Sequence, residues 1–330
     1  MALSPDQLRR ELREAGIANA AIDAAWPQWW SDEAAGSLSA TSELTFTVAR
    51  RLGLSPQALF EGSTRFLWRD DTKFKRLDTR TPGEDAALAS FGIVIARSAV
   101  AATAGETLPV HISAGELRTQ ILEQGRTVDF STLISFCWAF GIPVIQLHVF
   151  PLDRKRMHAM TVRVKNRYAI LLGYMSRYHA QTAYILAHEI GHILLGHLAN
   201  SDALLEEDDP LRSGSADEEE IAADRFALAL LTGTENPRVL ADTSSYSATQ
   251  LAAAAVEASE HERVDPGVLA LCLGHSTKQW DKSFGALKVL PPGPQDLPKQ
   301  INDLASNQFD WNAISTNIRE YLARVMGLGE

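Results

Sequence analysis

Cysteine is nearly absent: the 330 residues hold two, Cys137 and Cys272. One distant pair in apolar surroundings makes no disulfide framework, which excludes the small stapled secreted domains and favours a reducing compartment. The N-terminus, MALSPDQLRRELREAG, lacks the apolar core of a signal peptide and alternates charged with apolar residues as an amphipathic helix does. A cytoplasmic location is therefore expected. Basic excess is missing too: the net charge is −10 and the pI about 5.4, which argues against a large nucleic-acid-binding surface but leaves room for a local basic patch. No apolar run is long and unbroken. The longest uncharged stretch, Phe130 to Leu147, contains Gly141 and Pro143 and is punctuated by Ser131, Thr132, Ser135 and Gln146. It reads as a buried helix turning into a buried strand, so no membrane partner is expected. There is no internal repeat.

What is present is enough apolar residue, 45% of the chain, to fill a sizeable core, and enough length for two domains. Residues 1–80 read as short helices broken at Pro27, Gly36 and Gly53, with Trp26, Trp29 and Trp30 close together. Within Ala40–Gly62 a helix, a Gly-Leu-Ser-Pro corner and a second helix from Pro56 resemble the later helices of a repressor-type helix-turn-helix domain. A basic stretch follows, with Arg65, Arg69, Lys73, Lys75, Arg76 and Arg80 among Phe66, Trp68 and Phe74, diluted by Asp70, Asp71 and Asp78. Helices are expected over Ala86–Ala104, over Ser113–Gly125 with Glu116 at the capping-box position, and from Asp129 to Gly141. Pro143–Phe150, Met160–Val164 and Tyr168–Leu172 are β-rich, the last two flanking a turn at Lys165-Asn166-Arg167. A long helix over Tyr178–Leu198, an acidic loop over Glu206–Gly214 and a helix over Ala216–Leu231 follow. Further helices are expected at Ala248–His261 and Pro266–His275, then a Pro-rich connector, Pro291–Pro298, and a final amphipathic helix over Lys299–Met326. The fold class is α+β and mostly helical, with a small, mainly antiparallel sheet beside the long helix. The expected division is a helical N-terminal domain at 1–105, a catalytic domain with a helical extension at 106–290, and a linker with a C-terminal helix at 291–330.

The chemistry sits in His188-Glu189-Ile190-Gly191-His192. Residues four apart share a helix face, so His188 and His192 can present two imidazoles to one ion. Glu189, one step round, can act as base towards water activated there. The flanking YILAHEIGHILLGHL is a strong apolar helix pattern, which would hold such a site rigid. A catalytic zinc needs a third protein ligand and an open position. The candidates are His197, Glu206–Asp209 and Asp217–Glu220. His197 is five residues past His192, about 140° away around the helix, and suits an outer or surface position. Glu220 is the better ligand: it opens a second helix, and Asp224, four further on, shares its face and can accept the free N–H of a ligating histidine. Small Ala222, Ala223 and Ala227 would let the two helices approach closely. A stabiliser for the charge developing on a scissile carbonyl oxygen is also expected. Tyr174, Tyr178, His179, Arg225 and His261 qualify by chemistry alone. His111, His148, His158 and His275 read as structural, and Cys137 as a small core residue.

HEIGHILLGH followed by E-x-x-A-D-x-F-A resembles the ImmA/IrrE family of metallo-endopeptidases. The resemblance runs over roughly Gly125–Gly233, including FGIPVIQL and YAILL, and ASEHERVDPGVLALCLGH resembles the helical tail of members fused to repressor-like domains. It implies a zincin-like catalytic domain with a thermolysin-like ligand set: His188, His192 and Glu220 on Zn2+, Glu189 as base and Asp224 behind a ligand. The family commonly ends the second helix in a Leu-Leu-Met-Pro-like run, whereas here it reads Leu230-Leu231-Thr232-Gly233, a departure in the following pocket wall. The resemblance further implies a protein substrate, a transcriptional repressor or antitoxin-like partner, in stress or mobile-element regulation. The competing reading is a DNA-binding regulator with a structural or sensory zinc site, with DNA reached through the N-terminal domain and Arg50, Arg51 or Arg65.

Overall fold

Short polar caps set where the helices of this chain begin. In the structure, a computed structural model describing residues 3–68, 72–75, 81–105, 112–153, 157–199, 201, 203–206, 217–239 and 245–329, Ser4 caps α1 (Pro5–Glu14) in a capping box with Gln7. Thr81 with Glu84 does the same for α5 (Pro82–Ala101), and Ser113 with Glu116 for α6 (Ala114–Gln124). Asp129 caps α7 (Phe130–Ala139). Each box satisfies N–H groups that the first turn leaves without an intrahelical acceptor.

Between α1 and α5 lie α2 (Asn19–Ala25), a 3-10 turn (Asp32–Gly36), α3 (Leu38–Leu52), α4 (Pro56–Phe60) and strand β1 (Thr72–Lys75). The expected Gly-Leu-Ser-Pro corner is there: Gly53 takes a left-handed φ of 70° to end α3, and Ser55 caps α4. A Cβ at Gly53 would stand 2.8 Å from the backbone oxygen of Ser90, so glycine is required both by conformation and by the approach of α5. Arg69, Asp70, Asp71, Arg76, Asp78 and Arg80 of the basic stretch fall outside the described residues, as do 106–110 and His111.

Five strands form one sheet in the order β1-β5-β3-β4-β2, with β2 at Val144–Gln146, β3 at Ala159–Val164, β4 at Arg167–Leu172 and β5 at Ala203–Glu206. The hairpin β3–β4 and the pair β3–β5 are antiparallel. Pairs β2–β4 and β1–β5 are parallel, so the sheet is mixed, with the expected antiparallel hairpin as its longest pairing. The parallel pairs join segments far apart in sequence, and local alternation carries no signal for them. β2 is also shorter than the β-rich run from Pro143 to Phe150, because the backbone N–H groups of His148 and Val149 turn to the carbonyl of Val325.

The sheet is covered on both faces. On β3, Met160 points at Gly92 of α5, where any Cβ would collide with the methionine sulfur. The next residue, Thr161, bonds to Glu189 of the helix α8 (His179–Leu194). Neighbouring strand residues point to opposite faces, so α5 and α8 sandwich the sheet. Then come α9 (Glu218–Thr232), α10 (Ala248–Glu262), α11 (Pro266–Thr277), α12 (Trp280–Val289), α13 (Leu297–Gln308) and α14 (Thr316–Val325). α12 is additional to the expected elements. The single helix expected over Lys299–Met326 is two, because Phe309 leaves the helix to bury its ring edge-on against Trp138, with Trp311 beside it. Asp310 N–H then bonds to Ala102 O at 2.7 Å, fixing the break.

Arginines fasten distant helix ends. Arg118 donates to the carbonyls of Leu230, Leu231 and Arg263 at 3.1, 2.7 and 2.8 Å. Arg324 donates to Trp26 O and Arg51 to Asn317 O, tying α14 back to the N-terminal helices. One continuous apolar core runs from Leu8 to Met326.

Candidate metal centre

α8 is almost wholly interior: every residue from Ala180 to Leu194 is buried. An apolar helix of this kind holds polar side chains only where something compensates them, and here His188, Glu189 and His192 are buried together. α9 supplies the third group. Its N-cap Asp217 accepts from the N–H groups of Glu219 and Glu220, which shapes the first turn so that Glu220 faces α8. Gly191 lets the helices meet. A Cβ there would lie 3.2 Å from Phe226 and 3.3 Å from the carbonyl oxygen of Ala223.

His188, His192 and Glu220 offer ligand atoms that all lie within 4.8 Å of one another. The two Nε2 atoms are 2.9 Å apart, and Glu220 places Oε2 3.4 Å from His188 Nε2 and Oε1 3.5 Å from His192 Nε2. Bonds of about 2.0–2.1 Å from a tetrahedral ion to nitrogen or oxygen set ligand atoms roughly 3.3 Å apart. The triangle is that size on the two carboxylate edges and slightly tight on the third. The groups behind it fix which ring nitrogens face inwards. His188 Nδ1 meets Asp224 Oδ1 at 2.9 Å, and the Tyr184 hydroxyl donates to the same oxygen at 3.0 Å. Asp224 is an acceptor, so the His188 proton sits on Nδ1 and the Nε2 lone pair turns to the cluster. His192 Nδ1 meets His197 Nδ1 at 2.7 Å, so His197 occupies the outer position expected of it. Two imidazole nitrogens and a carboxylate converging in a dry interior are electron-rich against one another. A cation resolves that conflict, and the residues present fit one.

Glu189 points its carboxylate to the sheet, where Thr161 Oγ1 donates to Oε2 at 2.5 Å. This partner was not anticipated; the one available signal was a hydroxyl residue flanked by apolar residues in the strand AMTVRV. Thr161 pairs with Leu204 of β5. Opposite residues share a face, so buried Leu204 forms the wall beside Glu189.

The other expected site residues are elsewhere. Tyr178 and His179 stand at the start of α8, with rings against Phe284 and Phe130. They line a separate cavity of about 270 Å3 with Asp129 and Asp265, and a rise of 1.5 Å per residue puts His179 about 14 Å along the helix from His188. They do not reach the cluster. Tyr174, between β4 and α8, stacks on His158 with ring centroids 4.4 Å apart. Arg225 and His261 are exposed on α9 and α10. Of the acidic alternatives, Asp217 is committed to the cap, and 207–209 lie outside the described residues. Burial pushes both cysteine thiols up to about 12, consistent with core positions and no nucleophile. Arg51 is 5% exposed and engaged with Ala25 O, Asn317 O and Glu320.

No helix among the described residues is long and apolar enough to cross a membrane. Residues 139–261 match the Peptidase_M78 family, described as the IrrE N-terminal-like domain. The matched segment contains β2 to β5, both helices of the cluster and all of His188, Glu189, His192, Glu220 and Asp224. Neither the curated proteins nor the solved structures give a match to the chain.

Proposed function

With residues 139–261 belonging to this IrrE-type peptidase family, we propose that the protein is a zinc-dependent endopeptidase. The observation that carries the reading is the buried triangle of His188, His192 and Glu220 with Glu189 on the same helix. Those three residues would hold Zn2+, which supplies Lewis acidity that polarises a peptide carbonyl and makes solvent a better nucleophile. Glu189 takes the proton of the attacking water and delivers it to the leaving amine as the C–N bond breaks. Thr161 positions that carboxylate through one oxygen. Asp224 and His197 hold the two imidazoles with the correct nitrogens inwards.

The substrate we propose is a repressor or antitoxin-like protein in the cytoplasm, cleaved in stress or mobile-element regulation; the family resemblance supports this. The α3–α4 corner is the element for docking to such partners or to DNA. The alternative, a DNA-binding regulator with a structural metal, is weakened by Arg51, whose guanidinium is already taken up by backbone carbonyls and Glu320.

Purified protein should contain about one zinc per chain. Glu189→Gln should retain the metal and lose cleavage of a protein substrate by about 100-fold or more, the usual weight of a general base. A Gln variant cleaving at the parent rate would eliminate Glu189 as the base.

A further inference from the structure

A second polar cavity, of about 200 Å3, opens where α3, α5 and α14 meet. None of its lining residues is on α8 or α9. Three arginines reach it in a chain whose net charge is −10. Arg51 is paired with Glu320. Arg50 and Arg97 have no ion-pair partner among the described residues; the Arg97 guanidinium lies 4.6 Å over the Trp68 ring, a contact that orients the group and leaves its edge donors available. Glu43 is the sole carboxylate in the lining.

Tyr321 supplies an independent sign. It lines the same cavity, is 2% exposed, and its hydroxyl is buried with no hydrogen-bond partner among the described residues. A buried hydroxyl left unmade is rare because it forfeits its bond to water, and a missing ligand is one of the few explanations. The start of α14 adds to the donor set. Its N-cap Ser315 makes no side-chain cap bond and lines the cavity with Asn317 and Ile318 of the first turn, which puts the positive end of the helix at the cavity wall.

We propose that this cavity binds a small molecule carrying a phosphate. Two guanidinium groups without carboxylate partners among the described residues, a phenol O–H and the positive end of a ten-residue helix form a donor set with more capacity than a lone carboxylate fills. A phosphate offers three acceptor oxygens and a charge of about −1.5 to −2 at neutral pH. The ligand bridges α3 and α5 of the N-terminal half to the C-terminal α14, so binding stiffens that junction. This reading stands apart from the metal centre and survives its failure.

The test uses the full chain and four probes: inorganic phosphate, adenosine monophosphate, citrate, and sodium chloride at matched ionic strength. Calorimetric titration should give saturable one-to-one binding of phosphate, and at ten times Kd the Tm should rise by about 2 °C. The Arg50→Ala/Arg97→Ala double variant should bind at least tenfold more weakly, Tyr321→Phe several-fold more weakly, and Glu43→Gln more tightly. Circular dichroism confirms that each variant is folded, and the exposed Arg50 and Arg97 keep the test open even where Tyr321→Phe unfolds. Adenosine monophosphate binding as well as phosphate would identify an ester ligand; phosphate alone would identify the free ion. Citrate binding without phosphate binding, no response beyond sodium chloride, or an unchanged double variant would each overturn the assignment.

Discussion

Removing the carboxylate of Asp224 should weaken zinc binding far more than its distance from the ligand triangle suggests. One oxygen, Oδ1, receives both the His188 ring and the Tyr184 hydroxyl, at 2.9 and 3.0 Å. It fixes the tautomer that turns the His188 lone pair inwards. Loss of such an outer partner typically costs about 10- to 100-fold in metal affinity, or roughly 1.4–2.7 kcal/mol. Asp224→Ala removes acceptor and charge and belongs at the upper end. Asp224→Asn keeps an acceptor oxygen and belongs near tenfold. Tyr184→Phe leaves the Asp224–His188 bond in place, so only a few-fold loss is expected. Tyr184 works through Asp224, so the double variant Asp224→Ala/Tyr184→Phe should be no weaker than Asp224→Ala alone. The assay is zinc competition against a chromogenic chelator, with thermal unfolding in excess chelator to separate metal loss from damage to the fold. Zinc held by Asp224→Ala as tightly as by the parent would refute the orienting role, and additive losses in the double variant would refute the series connection.

Three further outcomes follow from particular contacts. Gly191→Ala gains about 1 kcal/mol of helix propensity but sets a Cβ 3.2 Å from Phe226, so unfolding should change little while zinc affinity falls as α9 shifts. Gly191→Val, with overpacking added, should cost roughly 2 kcal/mol in a denaturant titration; a variant matching the parent in both measurements would contradict the close approach of α8 and α9. Arg118→Ala leaves the buried carbonyls of Leu230 and Leu231 and the part-buried carbonyl of Arg263 without their donor and should cost about 2–4 kcal/mol by the same titration. Burial is the main cause holding the Asp265 carboxyl above its ordinary 3.8, opposed by the Val268 N–H it caps and reinforced by Asp129. The folded state therefore binds protons more readily than the unfolded chain, so the ionised group costs stability at neutral pH, and that cost disappears as pH falls through the raised value towards 3.8. Asp265→Asn keeps the cap acceptor, so its Tm should exceed the parent's at pH 7 and converge with it in acid; a gap independent of pH would contradict the raised value.

The residues of the buried His188, His192 and Glu220 cluster were legible because each depends on local periodicity. Four residues on one helix bring His188 and His192 together whatever surrounds them, and Glu220 with Asp224 repeats that spacing on the next helix. The capping box at Ser113 and the cap at Asp129 were legible for the same reason. Elements fixed by distant partners were not. β1 and β5 have four residues each and exist because they pair with one another, across 131 residues in the register of Thr72 with Ala203, and because β5 also pairs with β3. Phe309 ends α13 on account of Trp138, which no window around residue 309 contains.

The same distinction explains the expected site residues that did not assemble. Tyr178 and His179 have suitable chemistry and lie at the start of α8, yet nine residues of rise carry His179 about 14 Å from His188. Thr161 was passed over although it touches Glu189, because its relevance depends on which face of β3 meets α8. That face is set by Met160, whose side chain fills the notch left by Gly92 and so leaves Thr161 no orientation but towards the carboxylate. A glycine on one helix thus determines what the Glu189 carboxylate on another can bond to. Filling the notch with Gly92→Leu should disturb the Thr161–Glu189 contact without touching either residue.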